Sequence, residues 1–105
     1  MSDEDAMEPG DCYFFISYFD AQMRIPEIET YVYVGKNVLP DDEQSGKDIW
    51  YFQHPKTYLS HGPFHQNPPG DYGVVQVGVD VLDTTVRDFE GICATLDEIR
   101  RRWNR

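Results

Sequence analysis

The sequence has only two cysteines, Cys12 and Cys93, and their separation matches none of the short spacings used by zinc, haem or redox motifs. Both residues have apolar neighbours, so two buried free thiols are the expected state, which suits a reducing compartment. A single disulfide joining the first strand to the last helix is the alternative.

Long apolar runs are also missing, and none approaches the roughly 20 residues that a helix needs to span a bilayer. The first eleven residues are acidic and lack the basic and apolar regions of a secretory signal. We therefore expect a soluble protein that has no contact with membranes and is located in the cytoplasm.

Basic residues are scarce, with 9 Lys and Arg against 19 Asp and Glu and a formal net charge of −10. The imbalance is concentrated in residues 1–48, which hold 12 acidic and 3 basic residues, whereas the last 22 residues carry a net +1. A field of this sign repels nucleic acid phosphates and anionic lipids and attracts basic proteins. The expected partner is therefore a basic protein, and nucleic acid is excluded.

The strong catalytic and cofactor motifs are absent, including phosphate-binding glycine loops, nucleophile elbows and calcium loops. No cofactor is expected, and a non-enzymatic protein is favoured. The nearest constellation is His54, His61 and His65 with Asp71 close behind, and these side chains are competent zinc or nickel ligands. Gly62 and Pro63 interrupt the His61–His65 spacing, so we expect loop histidines there, with a metal site or small enzyme as the alternative.

What the chain does contain is apolar and aromatic residues, 40% and 14% of its 105 residues, which is enough to bury one core. We predict an acidic, mobile tail over residues 1–10 and a single α+β domain over residues 11–105. Aromatic and alternating apolar patterns predict strands at residues 12–19, 28–34, 49–53 and 72–81. Proline and glycine signals predict helical turns over residues 54–62.

The most regular pattern predicts a C-terminal helix over residues 88–102, with Asp88 as its N-cap and arginines at its C-terminal end. Strands without long helices between them favour an antiparallel arrangement. The expected fold is an α+β, about four-stranded, mainly antiparallel sheet with this amphipathic helix packed on one face.

The segment of residues 35–47 combines turn chemistry with charge, so we expect an exposed acidic loop. The predicted partner-binding residues lie in this loop, directly after it and among the aromatic residues that follow: Asp41, Asp42, Glu43, Asp48, Trp50 and Tyr58. The aromatic run around Trp50 is expected to be mainly core, and a ligand groove is the alternative.

Size, charge and the absence of a catalytic motif together predict a small acidic protein that neutralises or regulates a basic protein partner. In general character this combination resembles the immunity proteins of bacterial toxin systems, and DNA-mimicking inhibitors share it. A monomer or weak homodimer is expected.

Overall fold

The computed structural model describes residues 7–103 and forms one five-stranded sheet with three helices. The elements in chain order are β1 Cys12–Tyr18, β2 Pro26–Lys36, β3 Trp50–Gln53, α1 Pro55–His61, β4 Val74–Val77, α2 Val79–Thr85, β5 Val86–Arg87 and α3 Phe89–Trp103. Two single 3₁₀ turns lie at Asp42–Ser45 and Phe64–Gln66.

The sheet is antiparallel throughout, with strand order β4-β3-β2-β1-β5. The predicted α+β class with its antiparallel meander and C-terminal helix is confirmed. The fifth strand, Val86–Arg87, pairs with β1 at Phe14 and Phe15. A strand of two residues has too short a pattern to be recognised in the sequence.

The predicted fourth strand is wrong in its second half, because β4 ends at Val77 and α2 begins at Val79. The alternating valines continue into the helix, where Val79 and Val81 are exposed. Leu82 is instead the buried residue of α2, at 6% exposure, and it belongs to the same hydrophobic cluster as Trp50 and Phe52. The tertiary contact of Leu82 thus overrides the local strand preference of the valines.

The sheet carries a hydrophobic cluster on each face. One contains Tyr33, Trp50, Phe52 and Val77 beneath Leu82 of α2, and partly buried aromatic rings of β1 and β2 extend it. The other contains Ile16 of β1 packed against Ile92 and Ile99 of α3. Successive side chains of a strand point to opposite faces of the sheet, so alternate residues of β1 contribute to the two clusters.

Helix α3 begins where the sequence predicts, since the Asp88 carboxylate accepts a 2.7 Å hydrogen bond from the Gly91 amide. Its apolar stripe is less buried than the periodicity indicates. Ile92 and Ile99 are buried, whereas Phe89, Leu96 and Trp103 are exposed.

The predicted burial of the cysteines is wrong for Cys93, which is exposed on α3, while Cys12 is half-buried. Both thiols are free, so the alternative of a Cys12–Cys93 disulfide is not what the structure contains. Helix α3 packs at one side of the sheet, on β1 and β5, and buries only a narrow stripe, so Cys93 lies outside it.

The predicted N-terminal tail divides into two parts. Residues 1–6 lie outside the described residues. Met7 packs against the first cluster, and the Gly10 amide donates to the Tyr33 carbonyl at 2.8 Å, so residues 7–10 already contact the sheet. Within residues 7–103, no helix combines the length and apolarity that crossing a bilayer requires.

Candidate functional site

The acidic loop between β2 and β3 is only partly exposed. Asp42 is 8% exposed, and its Oδ2 atom accepts hydrogen bonds from the Tyr51 hydroxyl at 2.7 Å and from the Leu39 amide at 3.0 Å. Burial is the largest effect that raises the pKa of Tyr51 from 10.0 to about 12, and this hydrogen bond to Asp42 is the next. The expectation that Asp42 belongs to an exposed surface is therefore wrong, because its carboxylate is used inside the chain.

Asp48 also has partners within the chain. It accepts from the Asn37 side-chain amide at 3.0 Å and lies 3.3 Å from the Lys36 ammonium. These two contacts, that of Asn37 foremost, lower the pKa of Asp48. Asp41 is exposed, and the side chain of Glu43 lies outside the described part of the chain. The loop therefore presents less uncompensated charge than its composition indicates.

The two aromatic residues predicted to bind a partner differ in their exposure. Trp50 is 1% exposed, its ring contributes to the core, and the Lys36 ammonium lies 5.1 Å from the ring centroid. Its Nε1 atom is buried without a hydrogen-bond partner among residues 7–103. Tyr58 is half-buried on α1. Trp50 cannot contact a partner without opening the sheet, because β3 is covered on both faces.

The histidine segment is held against the sheet by Gln53, which is fully buried. Its Nε2 atom donates to the Thr57 hydroxyl and to the Gly62 carbonyl, both at 3.1 Å, and its Oε1 atom accepts from the Phe64 amide at 2.8 Å. All polar atoms of this amide are thus used to position residues 54–66.

The three histidines lie in different surroundings. His54 caps α1 by accepting the Lys56 amide at its Nδ1 atom, and His61 packs edge-on against Tyr72. The Nδ1 atom of His65 is buried and has no hydrogen-bond partner in the described chain. The Asp71 carboxylate accepts from the Gly73 amide. Among residues 7–103, no group of three or more His, Cys, Asp or Glu side chains is arranged to hold a metal ion.

The surface that sequence reasoning missed is a projecting hairpin formed by residues 15–31, which we call the arm. Strand β3 pairs with β2 only from Val32 onward, and β5 pairs with β1 only at Phe14 and Phe15. Beyond these pairs, β1 and β2 continue side by side to a loop at residues 19–25. The arm therefore extends past the other strands of the sheet.

One face of the arm carries two glutamates. Glu27 pairs with Ser17 and Glu29 with Phe15, on the face opposite Ile16 and α3. Both glutamates are exposed, and they accept hydrogen bonds from the neutral hydroxyls of Ser17 and Tyr31. Within residues 7–103, neither forms an ion pair with a Lys or Arg.

Apolar side chains continue the arm toward its tip. The Phe19 amide donates to the Ile25 carbonyl at 2.9 Å, which extends the β1–β2 pairing by one position beyond the strand ends. Phe19 is 70% exposed and Ile25 45% exposed. The two-residue alternation places them on the face of Glu27 and Glu29. The arm thus presents an exposed aromatic ring and an isoleucine next to two carboxylates.

The other side of the tip is fixed by the end of α3. The indole of Trp103 donates to the Arg24 carbonyl at 2.7 Å, and the Arg102 guanidinium donates to the Met23 carbonyl at 2.8 Å. Arg24 lies over the Trp103 ring at 5.0 Å from its centroid. These contacts hold the tip in place. They also engage the side chains of Arg24 and Arg102 on the side of the arm opposite the glutamates.

A shallow open groove of about 340 Å³ lies at the start of β1, lined by Asp11, Cys12, Tyr13, Asp88 and Phe89. It brings two carboxylates and a thiol near one another. Its lining contains no histidine, lysine or arginine to act with them as a general base or a phosphate ligand.

Comparison of the chain with models of protein families, with curated proteins and with solved structures gives no match. The molecule is therefore described by its own fold and surface: it is a small α+β protein with a projecting hairpin that carries acidic and apolar side chains.

Proposed function

We propose that this chain is a non-enzymatic binding protein that neutralises or regulates a basic protein partner, in the manner of an immunity protein. The observation that carries the proposal is the face of the arm, where Glu27 and Glu29 lack cationic partners in the described chain beside the exposed Phe19 and Ile25.

The chemistry of this face suits recognition of a protein. A few residues contribute most of the binding free energy at many interfaces, where aromatic side chains are enriched, and surrounding charges set specificity and association rate. Phe19 supplies the aromatic ring, and the two glutamates supply charge of one sign. The net charge of −10 adds long-range attraction for a basic partner.

The acidic loop is the competing surface. Asp41 is exposed there, but Asp42 bonds to Tyr51 and Asp48 to Lys36 and Asn37. A carboxylate that already has partners gains less from a new cation, since the existing contacts are exchanged rather than added. We therefore place the main contact on the arm, and Asp41 contributes to the surrounding negative field.

The test is affinity capture from a lysate of the source cells at low salt and at about 0.5 M salt, where exposed charge interactions are screened. The captured protein is then purified, and its affinity is measured for the native chain and two variants. Glu27→Gln with Glu29→Gln removes two charges from the arm, and Asp41→Asn with Asp48→Asn removes two from the loop.

The proposal predicts a basic captured protein whose dissociation constant rises about tenfold or more in the arm variant, and by less than about twofold in the loop variant. Capture of no basic protein would refute the function. Equal weakening by both variants, or stronger weakening by the loop variant, would refute the assignment to the arm.

A further inference from the structure

The open edge of β2 is the strongest remaining feature of the arm. Residues 26–31 of β2 pair with β1 on one side, and within the described chain no strand pairs with them on the other. Glu27, Ile28, Glu29 and Thr30 are all exposed, so α1, which contacts β2, leaves these four residues accessible. An uncovered edge offers unpaired backbone groups to another chain.

The hydrogen-bond pattern identifies the open backbone groups. The Phe19 amide donates to the Ile25 carbonyl, and the Tyr33 amide donates to the Asp11 carbonyl, so the odd-numbered residues of β2 bond toward β1. In an antiparallel pair the residues between them direct their N–H and C=O groups the other way. Ile28 and Thr30 therefore present two donors and two acceptors at the open edge.

We infer that this edge binds an extended segment of the basic partner as an additional β-strand, with main-chain hydrogen bonds to Ile28 and Thr30. The inference rests on the proposed function, because the same partner supplies the strand. The inference adds how the partner is recognised, by strand addition, and which residue types the bound segment contains.

Charge decides between a basic segment and a second copy of this chain. If two copies paired edge to edge, the glutamates of one copy would lie beside those of the other on the same face. Like charges directly opposite each other destabilise a strand pair. Lysine or arginine on the added strand would instead lie beside Glu27 and Glu29, so the carboxylates favour a basic strand and disfavour self-association.

The two faces of the arm set the pattern of the bound segment. Glu27 and Glu29 lie on one face, and Ile28 lies on the other, where it pairs with Ile16. Because side chains alternate along a strand, the segment should alternate basic residues with apolar β-branched residues. Its basic residues would contact the glutamates, and an apolar residue would contact Ile28.

The test uses a short synthetic peptide of alternating lysine and valine, with a peptide of the same composition in blocks as the control. Thr30→Pro removes the outward N–H at an edge position where proline is tolerated, and Thr30→Ala is the matched variant that keeps it. Binding is measured by calorimetry, and amide hydrogen exchange reports on Ile28 and Thr30.

The inference predicts that the alternating peptide slows exchange at both amides and binds about tenfold more weakly to Thr30→Pro, with little change for Thr30→Ala. The block peptide should bind more weakly than the alternating one. Unchanged affinity for Thr30→Pro, equal binding of both peptides, or no binding to the native chain would each overturn it.

Circular dichroism establishes whether the proline variant folds. If it does not, an alternating peptide with N-methyl groups on its pairing edge tests the same bonds from the other strand, and unchanged binding of that peptide would again overturn the inference. A captured partner that is sensitive to the glutamate substitutions but not to Thr30→Pro would leave the proposed function standing and remove strand addition alone.

Discussion

The Tyr51 hydroxyl donates a 2.7 Å hydrogen bond to Oδ2 of Asp42, and both side chains are buried. Through this bond, a residue of the loop between β2 and β3 becomes part of the packed interior. The Leu39 amide donates to the same carboxylate oxygen, so the pair also fixes the backbone of the loop. A charge-assisted bond in a buried site contributes more than a surface bond, because its loss leaves a desolvated carboxylate.

The free energy of unfolding should decrease as pH rises from about 10 to about 12. The pKa of Tyr51 is raised to about 12 in the folded chain, so the folded state retains a proton that the unfolded state releases above its ordinary pKa of 10.0. One such group lowers stability by at most about 1.4 kcal/mol per pH unit in this window. Urea unfolding at successive pH values measures the slope.

Burial also raises the pKa values of Tyr13, Tyr31 and Tyr33, and these groups add to the alkaline loss. Tyr51→Phe removes only the contribution of Tyr51, so its slope should be shallower than that of the native chain. At neutral pH this variant should be less stable by about 1–3 kcal/mol, because Asp42 loses a buried donor. An identical alkaline slope in both proteins would contradict the assignment.

Replacing Gly35 by alanine should destabilise the fold by several kcal/mol, of order 2–4. Gly35 has φ +144°, and an added Cβ would lie 2.6 Å from a methyl carbon of Val38. The position is buried, next to the register shift between β2 and β3, so the backbone cannot move aside freely. Chemical denaturation measures the loss.

Gly46→Ala is the matched control for this substitution. Gly46 also has a positive φ, +75°, but an added Cβ would meet no atom within 4 Å. Only backbone strain of about 1 kcal/mol is expected there. Equal losses for the two variants would show that strain, and not the contact with Val38, sets the requirement for Gly35.

Weakening the contact between α3 and the arm should loosen the tip without unfolding the sheet. Trp103→Phe removes the donor to the Arg24 carbonyl, a net loss of about 0.5–1.5 kcal/mol. Amide exchange at Arg24 and Ile25, which donate to the Asp20 carboxylate, should accelerate. Arg101→Gln is the control, since Arg101 contacts Asp97 within the same helix. Equal acceleration in the control would contradict a local effect.

The two thiols should react at different rates in the folded chain. Cys93 is exposed and Cys12 half-buried, so a thiol reagent should label Cys93 first and Cys12 more slowly. Cys93→Ser should abolish the fast phase, and Cys12→Ser should leave it unchanged. A single phase with equal rates would contradict the difference in burial.

The elements that the sequence predicts well are those whose side chains repeat regularly and whose ends carry a turn or cap residue. The pattern of β1 and β2, the proline and glycine bounding α1, and the Asp88 cap of α3 all have their expected structures. Local backbone preference and amphipathic spacing act over a few residues, so they can be recognised without knowing the fold.

The candidate surface could not be found in the same way. The sequence does not distinguish the carboxylates of Asp42 and Glu27. In the structure, Asp42 is buried against Tyr51, whereas Glu27 is exposed on the arm. The valines of residues 79 and 81 continue a strand pattern, yet Leu82 packs over the sheet in a helix. In each case the outcome depends on contacts between residues distant along the chain or across elements.

The sequence by itself determined the α+β class, the antiparallel order of the first four strands, the C-terminal helix and the net negative charge, because these follow from local periodicity and composition. Tertiary structure alone decided which carboxylates remain available, that Trp50 is too deeply buried to contact a partner, and that β2 extends beyond β3 to leave an open edge. The physical reason is that solvent exposure and edge pairing are properties of neighbouring segments packed together, which no single stretch of sequence encodes.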